Sequence, residues 1–190
     1  MGGETAAANN GGRTNVTDTF LNSFWYADQL GQLASTGVKV FQRQVLIAEG
    51  GYPLINANAD GSFTPLPDFW LALLFRRIMG TRVLSAAPAA GSKSLRAYCH
   101  CAAGGGGGVA LLLINLGADT LNVSAAVASG QALTAAREEW VLGAGDQPVG
   151  ADSRLQTRQV TLNGAPLAVL PGPALPAMEG RRVQGGGLSF

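Results

Sequence analysis

Apolar positions recur twice at helical spacing between residues 17 and 80, and beyond residue 80 they shorten into strand-like runs. Phe20, Phe24, Ala27, Leu30 and Ala34 follow steps of three and four, as one face of a helix requires. Asn22, Ser23 and Gln29 fall mostly off that face. Thr17-Asp18 offers a capping hydroxyl and an acid for the positive end of the helix dipole, and Gly37 a stop. Residues 38–47 are β-branched and mixed, which predicts a strand, closed by the tight loop Gly50-Gly51-Tyr52-Pro53. Pro67-Asp68 opens a second helix whose stripe is Trp70, Leu71, Leu74, Phe75 and Ile78. Arg76 and Arg77 suit its last turn, and Gly80 is expected as its C-terminal cap.

After Gly80 the expected strands are 81–84, 95–101, 109–115, 121–127, 138–142, 156–162 and 166–170, each bounded by turn residues. Asn163-Gly164 is a hairpin signal. The glycines at 104–108 read as a hairpin tip; a phosphate cradle would need a helix start after them, and none follows. Short strands without intervening helices predict an antiparallel β-sandwich. The tail Gly185-Gly186-Gly187-Leu188-Ser189-Phe190 stops where a further strand begins, so both ends read as cut. The expected class is α/β plus β. Residues 1–80 give too few strand–helix units to close a (β/α)₈ barrel, which takes eight, and residues 81–190 form a sandwich incomplete at its C-terminus.

Composition narrows the function classes. With 47% hydrophobic and 13% charged residues in 190, the chain has the material for a packed core. A formal charge of +1 and 13 scattered Lys and Arg provide no basic stripe, so nucleic acid is not an expected partner. The longest apolar runs, 69–75 and 109–114, are far below the roughly 18–20 residues of a membrane span. The first residues carry no charged region followed by an apolar one, hence no signal peptide pattern. No dinucleotide fingerprint, Walker loop or Ser-His-Asp arrangement is present, and no cofactor is expected.

Glu4 stands at the head of the strand–loop–helix series, where a barrel enzyme holds a catalytic group. Its surroundings are specific. Gly3-Glu4-Thr5-Ala6-Ala7-Ala8-Asn9-Asn10-Gly11-Gly12 is followed by Thr17-Asp18-Thr19-Phe20 and Phe24-Trp25-Tyr26-Ala27-Asp28-Gln29-Leu30-Gly31. Arg43-Gln44-Val45-Leu46 leads into Gly50-Gly51-Tyr52, and Leu66-Pro67-Asp68-Phe69-Trp70 into Met79-Gly80-Thr81-Arg82-Val83-Leu84. With Leu95-Arg96-Ala97-Tyr98-Cys99-His100-Cys101 and Leu112-Leu113-Ile114-Asn115-Leu116, these blocks, in this order, resemble the heparanase-like enzymes of glycoside hydrolase family 79, plant-type β-glucuronidases included. The resemblance runs from Glu4 to about Leu170 and is strongest before Cys101.

The resemblance implies a retaining glycosidase built on a (β/α)₈ barrel, acting on uronic-acid-containing polysaccharides or glycosides, with Glu4 as nucleophile. Such chemistry needs two carboxyl groups about 5–5.5 Å apart, one attacking the anomeric carbon and one protonating the leaving oxygen. The family's acid/base is a Glu after an Asn on an earlier strand, and only three residues precede Glu4. Glu49, Glu138, Glu139 and Glu179 match no acid/base motif. Gln44 matches a family Gln whose amide holds a sugar hydroxyl or carboxylate. Gly50 and Tyr52 match a Gly-x-Tyr whose N–H and phenol bind a uronic acid carboxylate. Asn10 and Gly11 align with glycines whose N–H groups face the substrate, and Asn9 departs from the family's usual residue. In the family the cysteine matching Cys101 is one half of a disulfide whose partner lies beyond Phe190. An extracellular, cell-wall- or membrane-associated, or vacuolar/lysosomal parent is implied, consistent with sequons at Asn15 and Asn122.

Other residues read structurally. Trp25, Tyr26 and Trp70 lie on helices and are expected to pack there rather than stack on sugars. On a strand, Cys99 and Cys101 share one face and His100 takes the other, so the three cannot converge on a metal ion. Cys99 is expected as a buried thiol and His100 on the strand surface. Two further readings stay open at this level. One is a non-catalytic carbohydrate-binding or interaction β-sandwich, against which stands the lack of clustered Trp and Tyr after residue 80. The other is a truncated product with sticky apolar faces at 20–33 and 70–78.

Overall fold

The computed structural model describes residues 2–88, 92–130, 133, 136–150, 153–172, 174–185 and 188–189. The first half is β1 (Gly2–Thr5), α1 (Phe20–Ser35), β2 (Phe41–Arg43), β3 (Ile47–Ala48), β4 (Ile55–Ala57), β5 (Phe63–Pro65) and α2 (Pro67–Ile78). There follow β6 (Met79–Leu84), β7 (Leu95–Ala102), β8 (Val109–Asn115), β9 (Asn122–Val123), β10 (Ala136–Glu139), β11 (Leu142–Ala144), β12 (Val160–Leu162), β13 (Ala165–Pro166), β14 (Arg181–Gln184) and β15 (Leu188–Ser189).

β1 pairs with β2 in parallel, Gly2 opposite Phe41 and Thr5 opposite Arg43, with α1 as the crossover. Parallel neighbours need such a long connection, and this βαβ unit is the repeat from which barrels are built. Among the described residues no closed barrel forms: the strands make separate sheets of two or three. The expected strand 38–47 is divided into β2 and β3, and β3 joins the β4–β5 hairpin, which the sequence reading missed. β4 and β5 are short and polar-interrupted, so neither carries a readable period.

Two helix-end expectations are corrected, and a third, Gly37, holds. α1 starts at Phe20 with Thr19 as its cap residue, and no side chain caps it. Its first amides are taken by distant main chain instead: Phe20 N–H donates to Thr157 O at 2.8 Å and Leu21 N–H to Leu155 O at 3.0 Å. Thr17 Oγ1 donates to Arg13 O or Gly51 O, and Asp18 accepts from Arg158 Nε at 3.0 Å. Gly37 does terminate α1, in the left-handed region at φ 89°. Gly80 is not a cap, because α2 runs at Met79 straight into β6. A side chain is excluded at Gly80 for another reason: its Cβ would lie 2.5 Å from Cys101 O on β7.

The helices bury their stripes on two sides. Phe20, Trp70 and Leu74 pack with Val160, Leu162 and Met178, while Tyr26, Ala27 and Leu71 pack with Ile114 of β8. Asn22 and Ser23, which the periodicity placed away from the buried face, are buried too, because they face α2.

β6, β7 and β8 form an antiparallel sheet, and the glycine-rich 104–108 segment is its hairpin tip. Tyr98 on β7 lies against Gly31 of α1 and donates to Asp28 Oδ1 at 2.6 Å. His100 is buried, not on the surface: its ring stands edge-on to Phe75 of α2, with Nδ1 2.6 Å from Gly80 O. The sheet's inner face meets the helices there, which strand alternation alone could not reveal.

In the remaining strands pairing is antiparallel throughout. Asn163 and Gly164, at φ 51° and 85°, turn the β12–β13 hairpin as expected. The expected strand 121–127 shrinks to β9, which pairs with β15; Gly186, Gly187 and Phe190 of the tail lie outside the described residues. The 156–162 run yields only β12, since Gln156 and Thr157 are spent on the entry to α1 through Asn15 O and Phe20 N. The 138–142 run breaks at Trp140, whose indole donates to Met178 O.

Gly31→Ala tests the α1–β7 contact. Alanine normally gains a helix about 1 kcal/mol over glycine. Here its Cβ would sit 2.2 Å from the Tyr98 ring, which the Asp28 bond holds in place. Overpacking of this kind costs about 1–3 kcal/mol, so the variant is expected to lose stability in urea denaturation despite the helix gain.

Candidate active-site cleft

The carboxyl ends of β1 and β2 lie at one end of the parallel pair, and the chain leaves them through two glycine loops. Asn10, Gly11 and Gly12 take φ of 56°, 83° and 92°, and Gly50 and Gly51 take 65° and 81°. The loops touch closely. A Cβ on Gly51 would lie 2.1 Å from Gly11 O, and one on Gly12 would lie 2.6 Å from the Tyr52 ring. These two positions therefore require glycine for both backbone conformation and space.

Between the loops is a cleft of about 280 Å³, and Gly11, Gln44, Gly50 and Tyr52 all line it. Sequence matching thus brought together residues as far apart as 11 and 52 at one place. Asn10 is exposed beside Gly11 but does not line the cleft. Glu4 lies in β1, between the pairing positions Gly2 and Thr5, and Gln44 N–H donates to Thr5 O at 3.0 Å. The Gly50 N–H is engaged, donating to Asn56 Oδ1 at 2.9 Å. Asn56 in turn donates to Asn58, and Asn58 to Ser62 and Thr64, so the β4–β5 hairpin braces the Gly50 loop. Glu49 also lines the cleft.

Behind the cleft wall sits a group that the sequence reading gave no role. Arg43, next to Gln44, directs Nη2 to Asp68 Oδ2 at 3.0 Å, and the two side chains are only 3% and 4% exposed. Its Nη1 donates to Gln44 O. Its guanidinium lies 5.6, 5.5 and 5.3 Å from the ring centroids of Trp25, Tyr26 and Tyr52, within the range of cation–π attraction. Asp68 also accepts from Asn22 Nδ2 at 2.7 Å and Ser23 Oγ at 2.9 Å, which binds α1 to α2. The available signals were Asp68 following Pro67 at a helix start and a cation beside Gln44. Neither announces a buried pair.

Burial pushes the Asp68 carboxyl above its usual range, while Arg43 and the Ser23 and Asn22 bonds pull it back. Burial, with Asp68 nearby, raises the Tyr26 phenol to about 12, and Arg43 opposes that shift.

Away from the cleft, Cys99 is buried and Cys101 half-buried, and both are free thiols. Burial, then the neighbouring Cys101, raises the Cys99 thiol. Among the described residues no cluster of three His, Cys, Asp or Glu could hold a metal ion. Asn122 is exposed in β9, whereas Asn15 adopts φ 61° and accepts from Arg158. Trp70 and Tyr26 pack in the core as expected, and Trp25 stacks beside Tyr26 under Arg43.

Asp68→Ala would leave the Arg43 charge buried without its counter-ion. Breaking one side of such a pair costs about 3–5 kcal/mol, so the variant is expected to lose that much stability in chemical denaturation. A loss below ~1 kcal/mol would show that solvent reaches Arg43.

The chain is similar to characterised glycosidases along most of its length. Residues 1–31 match the model of the glycosyl hydrolase family 79 N-terminal domain. Heparanase from Gallus gallus is 36% identical over 187 residues, covering 93% of this chain and 33% of that protein. Baicalin-β-D-glucuronidase from Scutellaria baicalensis is 35% identical, covering 93% of this chain and 31% of its own length. Heparanase-like protein 1 from Arabidopsis thaliana is 47% identical over 114 residues, which is 60% of this chain and 20% of that protein. The chain therefore spans between a fifth and a third of these relatives. Its matched blocks, in order and across both halves, make it a member of the heparanase-like group of glycosyl hydrolase family 79.

Proposed function

We propose that this chain is the C-terminal portion of a retaining glycoside hydrolase acting on uronic-acid-containing glycans or glycosides. Residues 1–80 supply the last units of its (β/α)₈ barrel, and residues 81–190 an accessory β-sandwich. The observation that carries this reading is the cleft at the carboxyl ends of the parallel pair β1 and β2. Gly11, Gln44, Gly50 and Tyr52 meet there, next to the strand that holds Glu4. Barrel enzymes place their chemistry at that end of the strands. The relatives named heparanase and baicalin-β-D-glucuronidase support a glycosidase, and the second name points to a β-glucuronide substrate.

In this reading the Glu4 carboxylate attacks the anomeric carbon and forms a glycosyl ester, which water then hydrolyses. Gln44, Gly11 and the Gly50–Tyr52 loop position the sugar, with the Tyr52 phenol donating to its carboxylate. Gly50 can contribute its N–H once Asn56 yields it. The acid/base carboxyl comes from a barrel strand that precedes Glu4 in the parent. Neutral donors suit this task, because Asp68 already neutralises the charge of Arg43. We also propose that the parent works outside the cytosol, at the cell wall or membrane, or in a vacuole or lysosome. Exposed Asn122 would carry a glycan and Cys101 would be half of a disulfide. Among the described residues no helix is long and apolar enough to cross a membrane.

General acid assistance is worth about 10²–10⁴-fold, and without the remaining strands the substrate pocket is incomplete. The purified 190-residue chain is therefore expected to release no aryl group from an aryl β-glucuronide. The complete enzyme is expected to release it, and Glu4→Gln to lower kcat by at least about 10³-fold with the fold intact. Full activity in Glu4→Gln would remove Glu4 from the mechanism.

A further inference from the structure

We propose that Arg43 is a positioning residue of the cleft: anchored on Asp68, it sets both the Gln44 main chain and the Tyr52 ring. The inference deepens the functional reading above and rests on it for its kinetic consequence.

One planar group links both helices to two of the residues that line the cleft, Gln44 and Tyr52. Nη2 is fixed on Asp68 at the start of α2, and Nη1 donates to the carbonyl of Gln44 as the chain leaves β2. The guanidinium plane spans Trp25 and Tyr26 of α1 and Tyr52 of the second glycine loop. Of the groups it touches, Gln44 and Tyr52 line the cleft, whereas Arg43 itself does not. It therefore acts through them. The second glycine loop is held through its main chain, by Asn56 at the Gly50 N–H and by Thr17 at Gly51 O, and Arg43 adds the contact that bears on the Tyr52 ring itself. A buried pair is a poor source of net stability, since desolvating both ions offsets their attraction. That makes geometric placement the better account of why a buried guanidinium stands here, bonded through Nη1 and Nη2 while its Nε–H has no partner among the described residues. Lysine could keep the charge pair with Asp68, but it offers no planar fork to hold Gln44 O and no flat face for three rings.

The chain contains three tyrosines, 26, 52 and 98, which makes the test direct. Tyrosine ring ¹³C labelling of the whole chain is expected to show the Tyr52 and Tyr26 resonances displaced in Arg43→Lys. The Tyr98 resonance, tied to Asp28 on α1, is expected to stay in place. An unmoved Tyr52 resonance with Tyr98 native would overturn the proposal. If Tyr98 also moves, the fold is lost, and Asp68→Glu, which keeps the pair but displaces the guanidinium, decides the matter by the same two signals.

In the complete glycosidase, Arg43→Lys is expected to raise KM for an aryl β-glucuronide about tenfold and to leave kcat within about threefold, the pattern of lost ground-state positioning. An unchanged KM with kcat falling in step with the folded fraction would mean a structural role only and would contradict the proposal. If the wild-type complete enzyme hydrolyses no glucuronide, the functional reading fails. The Tyr52 resonance then still decides what Arg43 does.

Discussion

The carboxylate of Asp68 is the point on which this structure turns. Four residues from three elements converge there: Asn22 and Ser23 of α1, Arg43 of β2, and Asp68 itself at the start of α2. In low dielectric a lone ion would be expensive, so the carboxylate and the guanidinium have to be buried together. That mutual requirement fixes the angle between the helices and the place where β2 ends. The aromatic rings of Trp25, Tyr26 and Tyr52 close around the pair and exclude water. The cleft is the outer surface of this arrangement.

A second constraint ties the halves of the chain together. The entry to α1 has no side-chain cap; its first two amides, Asn15 O and Asp18 are served by residues 155–158. The strand-rich half thus completes a helix that the first half cannot finish. The β6–β7–β8 sheet works similarly, with Tyr98 and His100 reaching into the helices. A helical half that borrows hydrogen-bond partners from the strand-rich half depends on it for its geometry. This explains why resemblance to the relatives runs through both halves.

Local signals carried part of this organisation. Both helices, the glycine-rich tip and the Asn163-Gly164 turn were legible because each depends on neighbours within a few residues. So was the order of the family blocks, and with it the grouping of Gly11, Gln44, Gly50 and Tyr52. What was not legible depends on long-range partners. Asn22 and Ser23 look like solvent-facing polar positions until Asp68 is placed opposite them. Gly80 has the signature of a cap, but its reason is the carbonyl of Cys101. His100 alternates with two cysteines and gives no hint that its face is the covered one. The β4–β5 hairpin has no hydrophobic period, and Asn56 shows its purpose only once Gly50 is seen donating to it.

The central claim is our proposal that Glu4, in β1, is the nucleophile of a retaining glycosidase. An activated 2-fluoro-glucuronide traps such a nucleophile as a stable glycosyl ester. The most direct measurement is to incubate the complete enzyme with that reagent and map the adduct by peptide mass spectrometry. The account predicts one sugar per enzyme, attached through the carboxylate of Glu4. An adduct on another carboxylate, or inactivation with Glu4 unmodified, would contradict it.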